Sequence, residues 1–333
     1  MKAKRIAVIG AGGWGTALSI IWANRGHSVF LWGNNSSRIE EIKRTRENKV
    51  YLSGAILPTS LGLTSQLEDC GDADLIVFVT PSTAMREVAQ RLRPSVRNGD
   101  ATFLSCVKGV ERGTGKRMSE ILSEIYPRHA VGVLSGPNLA IEVSRGLPTA
   151  TVLACTNSAV APDLQNLLGT PRFRIYTGED LVGIELGGAL KNIFAIAAGA
   201  GDGLGLGDNS KAALVTRSLA EMIRLGTKMG ADPRTFYGLS GAGDLMATCF
   251  SRHSRNRRVG EEIGRGRTVK ELTSSMQMVA EGIPTAKSAY ECARQLGVEV
   301  PIIEQVYALI YEDKSAAQAM DDLLAREQKA ERG

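Results

Sequence analysis

Short apolar runs recur through the first half of the 333-residue chain. They are rich in Val, Ile and Leu, and they are continuous rather than alternating, which is typical of strands buried on both faces. The runs occupy residues 6–9, 29–32, 75–79, 102–106, 131–134, 150–153 and 173–176. Between several of them, at 16–25, 84–92 and 116–125, apolar residues repeat every three or four positions, as in helices. This alternation predicts a doubly wound, mostly parallel sheet.

The pattern changes near residue 179, after which no further strand-like run occurs. Helical periodicity continues instead through residues 210–229, 284–295, 301–311 and 316–326. We therefore predict an α/β fold in two domains. An N-terminal doubly wound domain would span residues 1–185, and a C-terminal all-α domain would span residues 186–333.

Composition and charge narrow the class of protein. With 43% hydrophobic and 23% charged residues, the chain is typical of a globular protein rather than a disordered or coiled-coil one. The net charge of +5 is spread thinly, which argues against a nucleic-acid partner and suits an anionic small molecule. Five cysteines without a CxxC pair and three scattered histidines predict no disulfide framework and no metal site. The cysteine pattern makes a reducing cytoplasm the expected location. No apolar run approaches the roughly eighteen residues of a membrane span, so we expect no membrane insertion.

The segment GAGGWG carries a glycine fingerprint for dinucleotides. Gly10, Gly12 and Gly15 stand directly after the first predicted strand and directly before a helical stretch, which is the context that the motif requires. Gly10 would permit the tight turn, Gly12 would let the backbone approach a pyrophosphate, and Gly15 would let the helix pack on the strand. The sequence thus predicts a Rossmann domain that binds NADP or NAD.

The loop after the second strand bears on the choice between these two cofactors. An NAD-specific site would offer an acidic residue to the ribose hydroxyls here, but after Trp32 no acid occurs before Glu40. The hydroxyl, amide and guanidinium groups present instead are compatible with a 2′-phosphate, and they belong to Asn34, Ser36, Ser37 and Arg38. We therefore expect NADP to be accepted, with NAD also open.

Four polar residues in apolar or small-residue surroundings are candidates for the chemistry. Lys108 directly follows a strand, where ligands bind in doubly wound sheets, although lysines at strand ends are common on surfaces. Lys191 and Asn192 lie in a helical run among glycines and alanines, where a lysine could donate a proton to a ketone or could snorkel from the helix flank. Asp244 could cap a helix or hold Lys191, and the sequence leaves both readings open.

The segment SRNRR places three arginines within four residues. A guanidinium matches a phosphate with two parallel hydrogen bonds, so a substrate phosphate is one candidate ligand. A nucleic-acid patch and a solvated helix face are the alternatives, and the absence of stacking aromatic residues disfavours the first. The residues concerned are Ser254, Arg255, Asn256, Arg257 and Arg258.

Several long motifs in order resemble the bacterial NAD(P)-dependent glycerol-3-phosphate dehydrogenases over nearly the whole chain. They are GAGGWGTAL, KGVERGTG, SGPNLA, ELGGALKN, DGLGLGDNSKAALVTRSLAEM, GAGDL, SRNRR and VAEG. The resemblance implies a Rossmann domain followed by a helical substrate domain. It also implies the interconversion of dihydroxyacetone phosphate and sn-glycerol 3-phosphate, a phosphorylated small molecule used for phospholipid synthesis. A homodimer is a candidate assembly.

The resemblance also implies roles for individual residues. Lys191 would be the catalytic acid and base. The implied substrate residues are Lys108, Gly136, Asn138, Lys191, Asn192, Asp244, Ser254, Arg255 and Asn256. The implied cofactor residues are Gly10, Gly12, Gly13, Trp14, Gly15, Asn34, Lys108, Ala140, Arg255, Val279 and Glu281. The chain departs from the family at Asn138, where Ser or Thr is usual, and in the loop GNN, which lacks a basic residue often found there.

Two other function classes are open to the same fingerprint. A 3-hydroxyacid or phosphogluconate-type dehydrogenase also places a lysine and an asparagine on an inter-domain helix, but usually spaced apart, whereas Asn192 adjoins Lys191 here. A non-enzymatic NAD(P)-sensing regulator would need a DNA-binding module or an effector surface, and the sequence shows no helix-turn-helix pattern or basic arm.

Overall fold

A computed structural model describes residues 3–275, 280–328 and 330–331. Its N-terminal half is one sheet with helices on both sides. The strands are β1 (Arg5–Ile9), β2 (Ser28–Trp32), β3 (Gly62–Thr64), β4 (Leu75–Phe78), β5 (Thr102–Ser105), β6 (Val131–Ser135), β7 (Thr149–Cys155) and β8 (Phe173–Thr177). The helices of this half are α1 (Gly13–Asn24), α2 (Ser36–Thr45), α3 (Met85–Leu92), α4 (Met118–Ile125), α5 (Ala140–Ser144) and α6 (Ala161–Leu168).

The eight strands run in the order β3-β2-β1-β4-β5-β6-β7-β8. All neighbouring pairs are parallel except β6 and β7, so the predicted mostly parallel sheet is confirmed. In β1, Ile6 and Val8 belong to the apolar core on one face, while Ala7 and Ile9 belong to the core on the other. Burial on both faces explains why the strands read as unbroken apolar runs.

Four elements of this half were not among the stretches named from the sequence pattern: α2, α5, α6 and β3. The strand β3 has only three residues, too few to show a period. The helix α2 buries only Ile39 and Ile42 and is otherwise polar, so its periodicity is weak. Its N-terminus is capped by Asn35, whose side-chain oxygen accepts a hydrogen bond from the Arg38 N–H at 2.9 Å. The segment expected to be a loop after β2 is therefore a loop for only three residues, 33–35, before α2 begins.

The C-terminal half is helical throughout its described residues. Its helices are α7 (Leu181–Gly203), α8 (Asp208–Lys228), α9 (Asp244–Phe250), α10 (Arg255–Gly264), α11 (Val269–Ser275), α12 (Gly282–Leu296), α13 (Pro301–Tyr311) and α14 (Ala316–Leu324). The prediction that strands end near residue 179 is thus confirmed. The predicted domain boundary after residue 185 falls inside α7. Ile184 packs with residues of the sheet, whereas Leu186 packs in the helical core.

Helix α7 is the central element of the helical half, and its middle is almost completely buried. By length and composition alone it could cross a membrane, which corrects the expectation that no apolar stretch reaches that length. However, 83% of its most apolar window is buried inside the protein. Its hydrophobicity is therefore accounted for by the other helices packed around it.

Helix α10 crosses α7 at unusually close range because glycines line the contact. A Cβ atom added at Gly260 would clash with the carbonyl oxygen of Ile196, and one at Gly199 would clash with the carbonyl oxygen of Arg257. Gly203 and Gly264 meet the opposite backbone in the same way. The absence of side chains at these positions lets the two backbones touch, which fixes the position of α10 against α7.

Candidate active site

Polar residues gather where the carboxyl ends of the central strands meet α7. Lys108 lies three residues beyond β5, and Gly136 directly follows β6. Lys191 lies in the middle of α7, and Asp244 opens α9. The sheet and the helical half therefore each supply one lysine to the same place.

Asp244 is held between these two lysines. Its Oδ1 accepts a hydrogen bond from Lys191 Nζ at 2.7 Å, and its Oδ2 accepts one from Lys108 Nζ at 2.6 Å. The side chains of Asp244, Lys191 and Lys108 are only 2%, 8% and 16% exposed. Of the two open readings, the structure supports the contact with Lys191. Neither lysine snorkels from the surface.

The ammonium of Lys191 has an altered acidity for identifiable reasons. Burial and the nearby charge of Lys108 lower its pKa, Asp244 raises it, and the net result is a pKa of about 8. Its Nζ also donates to Thr248 Oγ1 at 2.6 Å. These two bonds use two of its three N–H groups, so one N–H is left for a ligand. A lysine that titrates near neutral pH can both give and take a proton.

Lys108 is oriented by its own partners. Its Nζ donates to the Gly136 carbonyl oxygen at 2.8 Å as well as to Asp244. Its backbone carbonyl accepts a hydrogen bond from Asn192 Nδ2 at 3.1 Å. Both ends of the residue are thereby fixed, which predetermines where its remaining N–H can act.

Asn192 and Asn256 form a relay between three helices. Asn256 Nδ2 donates to Asn192 Oδ1 at 2.8 Å, and the N–H of Gly282 donates to Asn256 Oδ1 at 2.9 Å. Asn192 Nδ2 also donates to the carbonyl oxygens of Lys108 and Gly188, at 3.1 and 3.4 Å, so both of its N–H groups are used within the protein. Among the described residues, Asn256 is therefore the asparagine of this pair that keeps an N–H for a ligand. The structure thus links α7, α10 and the start of α12, and it brings the two predicted asparagines into direct contact.

The N-terminus of α10 contains the arginine segment. Ser254 caps the helix, since its Oγ accepts a hydrogen bond from the N–H of Arg257 at 3.2 Å. Arg257 itself forms an ion pair with Asp202 at 2.6 Å. Arg255 keeps an exposed side chain, although the surrounding protein lowers its pKa, with Glu281 and Tyr51 acting in the opposite direction. A helix N-terminus with a guanidinium beside it is suited to a phosphate.

Gly136 and Asn138 form the wall beside Lys108. Gly136 has φ = +146°, and a Cβ there would lie 3.0 Å from Thr151 Cα, so only glycine fits without strain. Asn138 Nδ2 donates to Thr151 Oγ1 at 3.1 Å, while its Oδ1 is buried with no hydrogen-bond partner among the described residues. A buried, unpaired acceptor is costly, and a ligand hydroxyl would satisfy it.

The glycine loop between β1 and α1 has the geometry that a dinucleotide requires. Gly10 has φ = +130°, and a Cβ there would lie 2.7 Å from the Val79 carbonyl oxygen. A Cβ at Gly15 would clash with the Gly10 carbonyl oxygen, whereas one at Gly12 would meet no atom within 4 Å. The turn and the helix contact thus need glycine for packing, and the space at Gly12 is open, as close approach of a pyrophosphate requires.

The structure places the other predicted cofactor residues in different surroundings. Gly13 lies against Ala140, since a Cβ added to it would be 3.7 Å from the Ala140 Cβ. Asn34 is exposed between β2 and α2. The ring of Trp14 packs instead toward Phe173, with centroids 6.2 Å apart. Val279 lies outside the described residues.

Glu281 lies just before α12 and connects the two halves of the protein. Its carboxylate accepts hydrogen bonds from the N–H and the Oγ of Ser82, at 3.0 and 2.5 Å. Burial raises its pKa, and the bonds to Ser82 act against that change. In this structure the carboxylate therefore bonds to the loop after β4, and its predicted contact with the cofactor stays a prediction.

Sequence reasoning missed a second layer around the glycine loop. Asn48 is buried, and its Nδ2 donates to the Ala11 carbonyl oxygen at 3.0 Å and to Thr16 Oγ1 at 2.8 Å. The guanidinium of Arg38 lies 4.7 Å from the ring centre of Tyr51 and donates to its hydroxyl at 2.5 Å. No periodic pattern marks the segment after α2, so these contacts could not be found without the fold.

The described residues give no support for a metal centre or a disulfide framework. Within residues 3–275, 280–328 and 330–331, no group of three or more His, Cys, Asp or Glu side chains is placed to hold a metal ion. The five cysteines are all unpaired. The cluster around Asp244 and the glycine loop together make the site of an oxidoreductase that acts on a CH–OH group with a nicotinamide cofactor.

Comparison with known proteins identifies the family to which the chain belongs. The family described as NAD-dependent glycerol-3-phosphate dehydrogenase matches it with its N-terminus model over residues 5–161 and its C-terminus model over residues 180–321. The chain belongs to this family. A relative named glycerol-3-phosphate dehydrogenase (NAD(P)+) from Geobacter sulfurreducens is 48% identical over 333 residues, which cover 99% of each chain.

Solved structures agree with this assignment. The glycerol-3-phosphate dehydrogenase of Coxiella burnetii is 37% identical and superposes with a TM-score of 0.94, covering 97% of this chain and 99% of that one. That of Saccharomyces cerevisiae is 29% identical, with a TM-score of 0.80 and coverage of 96% and 99%. The predicted family, fold class, enzyme class and NAD(P) cofactor class are thereby confirmed.

Proposed function

We propose that this protein interconverts dihydroxyacetone phosphate and sn-glycerol 3-phosphate with NADPH or NADH. The main support for this proposal is the buried cluster in which Asp244 holds Lys191 and Lys108 side by side. Two lysines against one aspartate leave an excess positive charge, and each lysine keeps an N–H beyond its bonds within the protein. A ketone oxygen that becomes negative during reduction is a suitable partner for that charge.

The proton is handled by Lys191 in this proposal. When bound, the nicotinamide cofactor supplies the hydride that adds to C2 of the ketone. Protonated Lys191 gives its proton to the ketone oxygen and becomes a neutral amine, so that the product is an alcohol. In the reverse direction the neutral amine takes the hydroxyl proton. Lys108 keeps its charge and stabilises the oxygen while it is negative.

The phosphate would be held at the N-terminus of α10. Arg255 is exposed there, and Ser254 caps the helix. The close crossing of α7 and α10 fixes these groups relative to Lys191. Binding energy from the phosphate would therefore hold C2 in position for reaction, although the phosphate itself does not react.

Replacing Arg255 tests this phosphate role. Because a hydrogen bond to a charged group contributes about 1.5 to 3 kcal/mol, Arg255→Gln should raise KM for dihydroxyacetone phosphate roughly 10- to 100-fold. Arg255→Lys should restore only part of the loss, since one ammonium cannot form the two-pronged contact. Steady-state kinetics with Arg258→Gln, an exposed arginine on the same helix, provide the matched control.

The same variant separates the phosphate from the cofactor as the partner of Arg255. Unphosphorylated dihydroxyacetone should be a poor substrate of the wild type, and the penalty of Arg255→Gln should shrink with it. An undiminished penalty would mean that Arg255 serves the cofactor or the fold. If the segment were a nucleic-acid patch, catalysis would stay intact and salt-sensitive DNA or RNA binding would fall.

We also propose that NADPH is used at least as well as NADH. No carboxylate stands between Trp32 and Glu40, and the guanidinium of Arg38 is held beside Tyr51 near the end of β2. A strong preference for NADH in kcat/KM would contradict this. Asn34→Asp should weaken NADPH use by about 1 to 3 kcal/mol, because like charges would then meet.

A direct assay decides the function as a whole. Purified protein should oxidise NADPH when given dihydroxyacetone phosphate and should yield sn-glycerol 3-phosphate. Turnover of 3-hydroxy acids or 6-phosphogluconate instead would favour the other dehydrogenase class, and cofactor binding without turnover would favour a sensing protein. As part of the same proposal, the protein acts in the cytoplasm without membrane insertion and supplies phospholipid synthesis. Light scattering would test whether it is a homodimer.

A further inference from the structure

A buried carboxylate on α7 contacts the sheet domain away from the lysine cluster. Glu185 lies six positions before Lys191 on this helix, and its side chain is only 2% exposed. Its Oε1 accepts a hydrogen bond from the N–H of Ser119 at 2.9 Å. Its Oε2 accepts hydrogen bonds from Ser119 Oγ at 2.5 Å and from Arg117 Nη1 at 3.0 Å. All of its partners lie at the start of α4.

These partners end the loop that carries Lys108. The backbone of Arg117 pairs with that of Val110 in an isolated antiparallel bridge, two residues beyond Lys108. Val110 is buried and packs in the core of the helical half, among residues of α7. The loop of residues 106–117 is therefore a compact turn, and a shift at Arg117 would be transmitted to Lys108 through only a few bonds.

Helix α7 holds this loop at both ends. Asn192 donates to the Lys108 carbonyl oxygen at 3.1 Å, and Glu185 binds Arg117 and Ser119. The two anchors are seven residues apart on α7, so they lie on the same face of the helix. Because Lys191 is on the same helix, its position relative to the loop that carries Lys108 is thereby fixed.

The ionised carboxylate of Glu185 is costly in this place. Burial raises its pKa, and the charge of Arg117 and the bonds from Ser119 and Arg117 act against that change. A buried ion pair seldom adds net stability over an apolar pair, whereas it does specify geometry in some proteins. Arg117 also has a second carboxylate partner, Glu120, which is 46% exposed and lies on α4 itself. Glu185 is therefore not needed merely to neutralise Arg117.

We propose that Glu185 is a positioning residue that sets the place of Lys108 relative to Asp244 and Lys191. It touches neither the substrate nor the cofactor, and it acts through the loop 106–117. This inference rests on the proposed function, in which Lys108 and Lys191 act on the same oxygen.

The test compares Glu185→Gln with Glu120→Gln, which removes the exposed carboxylate from the same arginine. Because a misplacement of about 1 Å in an active site can cost on the order of 100-fold, Glu185→Gln should lower kcat about 10- to 100-fold. The KM for NADPH should stay near the wild-type value. Glu120→Gln should retain nearly full kcat.

A pH profile adds a readout that a loss of stability would not move. The charge of Lys108 lowers the pKa of Lys191, and the shared Asp244 raises it. If Lys108 moves away, Lys191 gains sole use of Asp244, so its pKa rises. The alkaline limb of kcat in the reduction direction should therefore shift to higher pH in Glu185→Gln and stay in place in Glu120→Gln.

The decisive step repeats both variants in a Lys108→Met background, with single-turnover rates measured at excess enzyme. If Glu185 acts through Lys108, Glu185→Gln should have almost no further effect there. A full effect in that background, or an unchanged kcat in the single variant, would overturn the proposal. Ser119→Ala removes one of the three bonds and carries the same test should Glu185→Gln fail to fold. Inactivity of the wild type itself would refute the proposed function instead.

Discussion

Two of the buried carboxylates in the helical half, Asp244 and Glu221, have opposite surroundings. Asp244 lies between the ammonium groups of Lys191 and Lys108, both within 2.7 Å. Within the part of the chain that the structure describes, Glu221 on α8 forms no ion pair and instead accepts the N–H groups of Ile302 and Ile303, at 2.7 and 3.2 Å, where α13 begins. Both side chains are excluded from water.

The difference shows how a carboxylate in the candidate active site differs from one that serves the fold. Burial raises the pKa of Glu221 to about 7, although the α13 N–H groups act against this, so the group can reduce its cost by taking up a proton. The cluster at Asp244 instead keeps an excess positive charge buried. A buried excess charge is tolerated at a site where a ligand of opposite charge binds and neutralises it. We expect an anionic substrate to do this.

The largest expected effect follows from removing the proton donor. Lys191→Met should reduce kcat by roughly 10² to 10⁴, because general acid catalysis of this type contributes that much. Cofactor affinity, measured by fluorescence titration with NADPH, should stay close to the wild-type value. Retention of normal turnover would show that the cluster is structural, like the contact made by Glu221.

The next effect concerns the acidity of Lys191. Reduction needs the protonated amine, so wild-type kcat in this direction should fall as pH rises through about 8, whereas oxidation should rise over the same range. Asp244→Asn removes the charge that raises this pKa, so both limbs should move to lower pH. On the alkaline side of the reduction profile, a pKa that is lower by about 1 makes kcat about tenfold smaller, because the protonated fraction falls by that factor. Identical profiles for the two proteins would contradict the assignment.

The smallest effect on activity, with the clearest effect on stability, is expected at Glu221. Its pKa is raised in the folded state, so its contribution to stability is present below about 4.5 and is lost as pH rises through about 7. Glu221→Gln does not titrate. The difference in free energy of unfolding, variant minus wild type, should therefore increase by about 3 kcal/mol between pH 4.5 and 7.

Chemical denaturation across this pH range measures that difference, and kcat should remain close to that of the wild type. Glu312 is an exposed carboxylate just after α13, the helix whose N-terminus Glu221 contacts, so Glu312→Gln gives the baseline for removing one carboxylate charge near that helix. A difference that does not vary with pH would mean that folding does not change the pKa of Glu221, and would contradict this prediction.

Much of the fold could be predicted because its signals are local. Strands buried on both faces leave continuous apolar runs, and the loop at Gly10 is confined to six residues next to a strand. The helix α2 escaped because only Ile39 and Ile42 face the core, and β3 is too short to carry a period. Elements with little burial leave little trace in the sequence.

The candidate site was predicted as a set of residues, whereas its contacts were not, apart from that of Asp244 with Lys191, which was one of two open readings. Lys108 and Asp244 are 136 residues apart in the chain, and Asn192 and Asn256 are 64 apart, so their pairing depends on how the helical half folds onto the sheet. The buried bonds of Glu185 and Glu281 to the sheet domain escaped for the same reason. Ionisable residues are common, and only the fold shows which ones are buried together.

The glycine contact between α7 and α10 has a consequence for which molecules can react. It holds the helix that carries Arg255 at a set distance from the helix that carries Lys191, and a Cβ at Gly260 would have to push the two backbones apart. The added separation would be comparable with one carbon–carbon bond, about 1.5 Å. Under the proposed function, the helix separation at this crossing therefore sets the distance from phosphate to carbonyl carbon that a substrate must have. The crossing thus selects substrates by length, and replacing Gly260 with a larger residue would change the chain length that the enzyme accepts.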